Sequence, residues 1–151
     1  MMLLMIRENI MKKYILALGI ILTGCSDEPE ITLPDVEQVG LDDDNAVIQS
    51  IGEQPKKVVD SKDDAKKIYI FDGAYSQLEL SSNYALIAWQ QNNDISLNRA
   101  VKMGMALLGN DAGYFIHRVN MNGEHTDYSI HGHRITNNIC ISELCTIKIE
   151  K

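Results

Sequence analysis

With 151 residues and 45% of them hydrophobic, the chain can bury a core, which excludes a wholly disordered polymer and leaves room for about one domain. Its formal net charge of −7 is unevenly placed: residues 25–64 hold 12 Asp or Glu against three Lys, whereas residues 65–151 hold eight acids and eight bases. Neither half carries the basic stripe that nucleic acid selects, so no nucleic-acid partner is expected.

The first readable stretch runs from Met11 to Cys25. Lys12 and Lys13 precede an apolar run from Tyr14 to Leu22, which closes on Leu22-Thr23-Gly24-Cys25. A basic start, a short apolar middle and small residues before a cut are the parts of a secretory signal peptide. The run is shorter than the roughly 20 apolar residues of a permanent membrane-spanning helix. Leu22-Thr23-Gly24-Cys25 also resembles the lipobox of bacterial lipoproteins. That resemblance implies cleavage before Cys25 and a diacylglycerol on its sulfur, with further acyl chains in many Gram-negative species. Several acyl chains anchor stably, at about 0.8 kcal/mol per buried CH₂. In such lipoproteins an Asp directly after the lipidated Cys tends to retain the protein in the inner membrane. Here Ser26 stands in that place and Asp27 follows it, so the resemblance implies the outer membrane, facing the periplasm. Residues 1–24 are expected to be cleaved, and either Met1 or Met11 can serve as the start.

Residues 25–64 read as the lipidated N-terminus and an acidic, disordered tether. All three prolines fall here (Pro29, Pro34, Pro55), with Asp42-Asp43-Asp44 and Lys56-Lys57, and the apolar residues show no period. Forty flexible residues would span about 35 Å root-mean-square, either as reach for the domain or as a passive spacer. Ala46 to Ile51 could form a short helix or strand.

The folded domain is expected over 65–151. Lys66 to Phe71 predicts a strand, with Asp72-Gly73 as its stop. Ser81 to Asn92 fits a helix or a strand, and is read as a helix capped by Ser81 or Ser82. Ser96 to Leu108 predicts a helix, because Leu97, Ala100, Val101, Met105 and Leu108 recur at helical spacing before Gly109-Asn110. Met103 and Met105 suit either an adaptable binding face or a gap-filling core. Asn122-Gly123 between two alternating runs predicts a hairpin in which Val119 meets Thr126, His117 meets Tyr128 and Arg118 meets Asp127. A second antiparallel pair joins Arg134–Ser142 to Leu144–Glu150, with Cys145, Ile147 and Ile149 on one face. With Cys25 consumed by lipidation, Cys140 and Cys145 are an even pair in an oxidising compartment, so a disulfide is expected, contributing roughly 2 kcal/mol. A thiolate metal site is the alternative. The fold class is α+β: one or two helices packed on a mainly antiparallel sheet of C-terminal hairpins.

All four histidines fall within His117–His133. His131-Gly132-His133 places two imidazoles on one strand face, which makes these two the candidate metal ligands. On the expected hairpin His125 shares that face, but lies about 20 Å away along the strand. No G-x-S-x-G turn or glycine-rich phosphate loop occurs, so no catalytic residue is nominated and no cofactor is expected. The leading expectation is a non-enzymatic lipoprotein whose periplasmic domain binds another protein, by strand addition at an exposed sheet edge or otherwise. An accessory of an envelope assembly (secretion, conjugation or pilus machinery) fits that description. The alternative is an inhibitor or immunity protein against a periplasmic hydrolase or toxin, with Arg118, Arg134 or His131 reaching the target. Metal binding through His131 and His133 is a third.

Overall fold

A computed structural model describes residues 29–123 and 127–151. Cys25, the whole expected signal peptide and His125 lie outside the described residues. One folded unit runs from Ile31 to Lys151. Its elements are helix α1 (Asp44–Ile51), strands β1 (Lys57–Ser61), β2 (Lys66–Ile70), β3 (Ser76–Ser81) and β4 (Tyr84–Gln90), helices α2 (Asp94–Leu108) and α3 (Asn110–Asn122), and strands β5 (Tyr128–Ile130), β6 (His133–Ile141) and β7 (Leu144–Glu150). The fold is α+β, with three helices among the described residues. All seven strands join one antiparallel sheet in the order β1-β2-β3-β4-β7-β6-β5. Two meanders, β1 to β4 and β5 to β7, meet at the β4–β7 pair. The α2–α3 hairpin between them covers one face of the sheet.

The tether expectation is corrected from Ile31 onward. Residues 31–41 form an extended strap across the α2–α3 hairpin, with Leu33, Val36 and Val39 packed on the core and Leu41 buried. The Val39 and Gly40 N–H groups both donate to the Ala106 carbonyl, at 2.8 and 3.1 Å. Asp43 then caps α1 through the Ala46 N–H at 3.0 Å, so one of the three consecutive acids serves as a cap rather than as tether charge. These apolar residues follow the groove between two helices. They keep neither the helical nor the strand period, and their pattern in the sequence therefore looks random.

Within Ser81–Asn92, Tyr84–Gln90 is a strand and not the expected helix. Ala85, Ile87 and Trp89 alternate toward the helices and are fully buried, while Leu86 points to the other face and Ala88 is buried there too. As a central strand between β3 and β7, β4 is apolar on both faces, and an unbroken apolar block of that length does not distinguish strand from helix. Asn93 opens the next element: its side chain accepts the Ser96 N–H at 3.1 Å and caps α2.

The hairpin expected at Asn122-Gly123 is also overturned. Residues 110–122 are α3, which buries Ala112, Phe115, Ile116, Val119 and Asn120, a three-and-four spacing that won over the alternating one. Gly123, with φ of 84°, closes this helix instead of turning a hairpin. One positive-φ glycine suits either role. The pairings of His117 with Tyr128 and of Arg118 with Asp127 as opposed strand residues do not form, and Thr126, the expected partner of Val119, lies outside the described residues. Helices α2 and α3 approach closely because Gly104 faces Ala112 and the Ile116 side chain, where a Cβ would meet Ile116 Cδ1 at 2.5 Å.

The last pair of strands follows expectation. β6 and β7 meet through Ser142-Glu143, both at positive φ, and Cys145, Ile147 and Ile149 are buried under the helices while Thr146, Lys148 and Glu150 face away. β6 carries a bulge between Thr136 and Ile139, with Asn137 at φ of 51°.

Candidate functional site

The expected site residues separate in space. Cys140 and Cys145 come together as directly opposed partners with their sulfurs at bonding distance, 1.96 Å. The staple sits next to the β6–β7 turn, at the tip of the hairpin. His131 and His133 do not share a strand face. His131 occupies the two-residue turn between β5 and β6 with φ of 50°, and its Nε2 lies 3.4 Å from Asp111 Oδ2. His133 begins β6 and places Nδ1 2.9 Å from the Glu150 carbonyl. Among the described residues no three His, Cys, Asp or Glu side chains gather as a metal-ligand set. Arg118 lies over the Phe115 and Tyr128 rings, 5.8 and 5.4 Å from their centroids, and donates to the Tyr128 hydroxyl at 2.8 Å. Met103 and Met105 are core.

What the fold does gather is apolar side chains at one end. Seven large apolar residues stand exposed among the described residues, and five of them (Tyr75, Ile95, Met121, Ile141 and Leu144) sit where β4 leaves the sheet. The hub is Gln90-Gln91. The Gln90 N–H reaches the Ser96 hydroxyl at 2.8 Å, and that hydroxyl donates to the Tyr75 carbonyl, so the β2–β3 loop and the start of α2 are tied to the end of β4. Ser96 is completely buried, and its neighbour Ile95 is 61% exposed. The Gln91 N–H donates to the Glu143 carbonyl at 2.7 Å, holding the β6–β7 tip beside the same strand end. The Gln91 side chain donates to the Asn120 carbonyl at 2.8 Å, and Trp89 Nε1 donates to Asn120 Oδ1 at 3.1 Å. These bonds bring in the last turn of α3 and with it Met121. Four segments far apart in sequence thus place five apolar side chains, two of them from the β6–β7 tip, around a scaffold of satisfied, largely buried hydrogen bonds.

The charge at this end is light. Asp94 and Glu143 are exposed there, and the neighbouring polar residues Asn92, Asn93, Asn122 and Ser142 are neutral. Partial burial raises the Tyr75 phenol above its ordinary pKa, so it stays neutral. Exposed apolar groups framed by neutral polar ones have the make-up of protein-interaction surfaces.

Two of the five were legible as anomalies. Ile95 lies off the apolar stripe of α2, and Leu144 stands on the otherwise polar face of β7 with Thr146, Lys148 and Glu150. The other three gained meaning only from where the loops converge. The strap engages the opposite end of the same helices, with Leu33 against Gly113, Gln38 against Gly109, and Val39 and Gly40 on Ala106.

No family model, curated protein or solved structure matches the chain.

Proposed function

We propose that this chain is a bacterial lipoprotein, anchored through Cys25 in the outer membrane, whose periplasmic unit binds another protein through its apolar end. The observation that carries this reading is the collection of Tyr75, Ile95, Met121, Ile141 and Leu144 at the end opposite the strap. Seven residues separate Cys25 from Leu33, a span of at most about 30 Å. The reach is therefore short. An exposed apolar surface on a closely anchored unit suits an accessory of a larger envelope assembly, such as secretion, conjugation or pilus machinery.

The test is position-specific cross-linking in intact cells, with a photoreactive residue at Ile95 or Leu144 and, for comparison, at Ser129 or Lys151. The expected result is one prominent adduct from the apolar end, lost when Met121 and Ile141 are both replaced by Lys in a chain that still folds. Equal adducts from all four positions would overturn the reading.

A second reading draws support from the hairpin tip. Ile141 and Leu144 flank a turn stapled by Cys140 and Cys145, a rigid wedge of the kind that fits a cleft. On this reading the partner is a periplasmic hydrolase or toxin, and the unanchored chain retains inhibition at high concentration. The adduct's identity decides between the two.

A further inference from the structure

At the other side of the sheet, β1 is an outer strand that pairs only with β2 among the described residues. Beside it α1 leaves a groove of about 560 Å³, lined by Ile48, Gln49, Gln54, Pro55, Val58 and Tyr69. Val58 pairs with buried Tyr69 and faces the same side, yet it is 49% exposed. A β-branched side chain on a sheet edge, open to a groove under a helix, has the form of a seat for an added strand. The groove itself carries no charge. The flanking residues of β1 do carry charge: Asp60 shares the face of Val58, Lys57 points to the other face, both are exposed, and neither has an ion pair among the described residues. The neighbouring Lys56, by contrast, is paired with Asp72 at 3.1 Å.

We infer that β1 and α1 together accept an extended segment of another polypeptide as an eighth strand, antiparallel to β1. The outward N–H and C=O groups of β1 supply its ladder. Opposed residues in an antiparallel pair share a face, so the complementary segment has a base opposite Asp60, a small polar residue opposite Val59, a β-branched residue opposite Val58 and an acid opposite Lys57. In sequence order that is base, polar, apolar, acid. This site is separate from the apolar end, and its occupancy does not depend on what binds there.

The probe is the acetylated, amidated peptide Thr-Lys-Thr-Val-Glu-Thr, titrated into the isotope-labelled full chain in detergent and followed by backbone amide shifts and hydrogen exchange. Expected are shifts confined to β1, α1 and the groove residues, with slowed exchange of β1 amides. The peptide with Lys and Glu exchanged should bind about fivefold more weakly, and a Lys57→Glu, Asp60→Lys chain should invert that preference. Val58→Lys should abolish binding while Val58→Thr preserves it. Val58 is half exposed, so both variants keep the fold. Shifts elsewhere, no shifts at millimolar peptide, or indifference to the charge order would overturn the proposal. So would concentration-dependent shifts of β1 without peptide, which would make a second copy the occupant.

Discussion

Glu53 shows how much a single side chain can do in a unit this size. It follows α1 and meets Arg99 Nε and Lys102 Nζ of α2, while Arg99 also donates to the Ala74 carbonyl at 3.1 Å and lies over the Phe71 ring. One carboxylate thereby ties α1, α2 and the β2–β3 loop together. Burial by itself would raise the pKa of Glu53, but the hydrogen bonds and charges of Arg99 and Lys102 outweigh it and hold the group below the ordinary 4.5. A carboxylate with a depressed folded pKa stabilises above its unfolded pKa, and that contribution is lost as pH falls through the folded value. His117 acts earlier in the same direction. Half-buried in α3, it is held below the ordinary 6.5 by burial, so the unfolded chain takes up the proton first and stability drops as pH falls below that value. Urea midpoints measured from about pH 7 to pH 3 should therefore decline in two stages. Glu53→Gln should reduce the lower stage, to which Asp72 also contributes, and leave the upper one. Neither role was visible in the chain: Glu53 sat in a segment that looked unfolded, and His117 sat in a helix that also alternates.

At the scale of elements, the strap and the helical hairpin depend on each other. A Cβ at Gly113 would stand 3.0 Å from Met105 Cγ and 3.1 Å from Leu33 Cδ2, so this glycine makes room for the strap. Gly113→Leu should expel residues 31–41 while α2, α3 and the sheet persist. Hydrogen exchange reads this directly, because the Val39 and Gly40 amides lose their bonds to Ala106 and should exchange freely. Retained protection of those two amides would show that the strap tolerates the bulk. The destabilisation should be in the 1–3 kcal/mol range of overpacked interiors. Element types were readable where pattern and punctuation agreed, as in β2, α2, β6 and β7. They were misread where one pattern served two structures. Phe115, His117, Val119 and Met121 alternate like a strand, but Ala112, Phe115, Ile116 and Val119 repeat like a helix. Only packing against Tyr128 (ring centroids 4.3 Å apart) and against the small residues of α2 selects between them.

For the molecule as a whole, the proposed anchor and the apolar end make one device, and the anchor is the simpler half to test. Replacing residues 1–25 by a cleavable export signal that lacks a lipidated Cys should move the protein from the outer-membrane fraction to the periplasmic fraction on a density gradient, with its urea midpoint unchanged. Unchanged membrane fractionation would remove the lipid from the reading and leave the apolar end to be explained alone. Lengthening the six residues before Ile31 should leave folding intact and alter only reach, since the folded unit begins there. Shortening into 31–41 should destabilise the fold, because Leu33, Val36 and Val39 pack on the core.

Local chemistry by itself determined a good deal: the α+β class, the strand at Lys66, the helix ending at Gly109, and the final hairpin with its opposed cysteines. Each of these rests on contacts between residues near in sequence or on a period that one face imposes. Tertiary structure alone decided that residues 31–64 fold, that Tyr84–Gln90 is a central strand, and that residues 110–122 are a helix. It alone also gathered Tyr75, Ile95, Met121, Ile141 and Leu144 at one end. The physical reason is common to all four. Their burial or exposure depends on neighbours tens of residues away, and no local periodicity records which distant surface a side chain will meet.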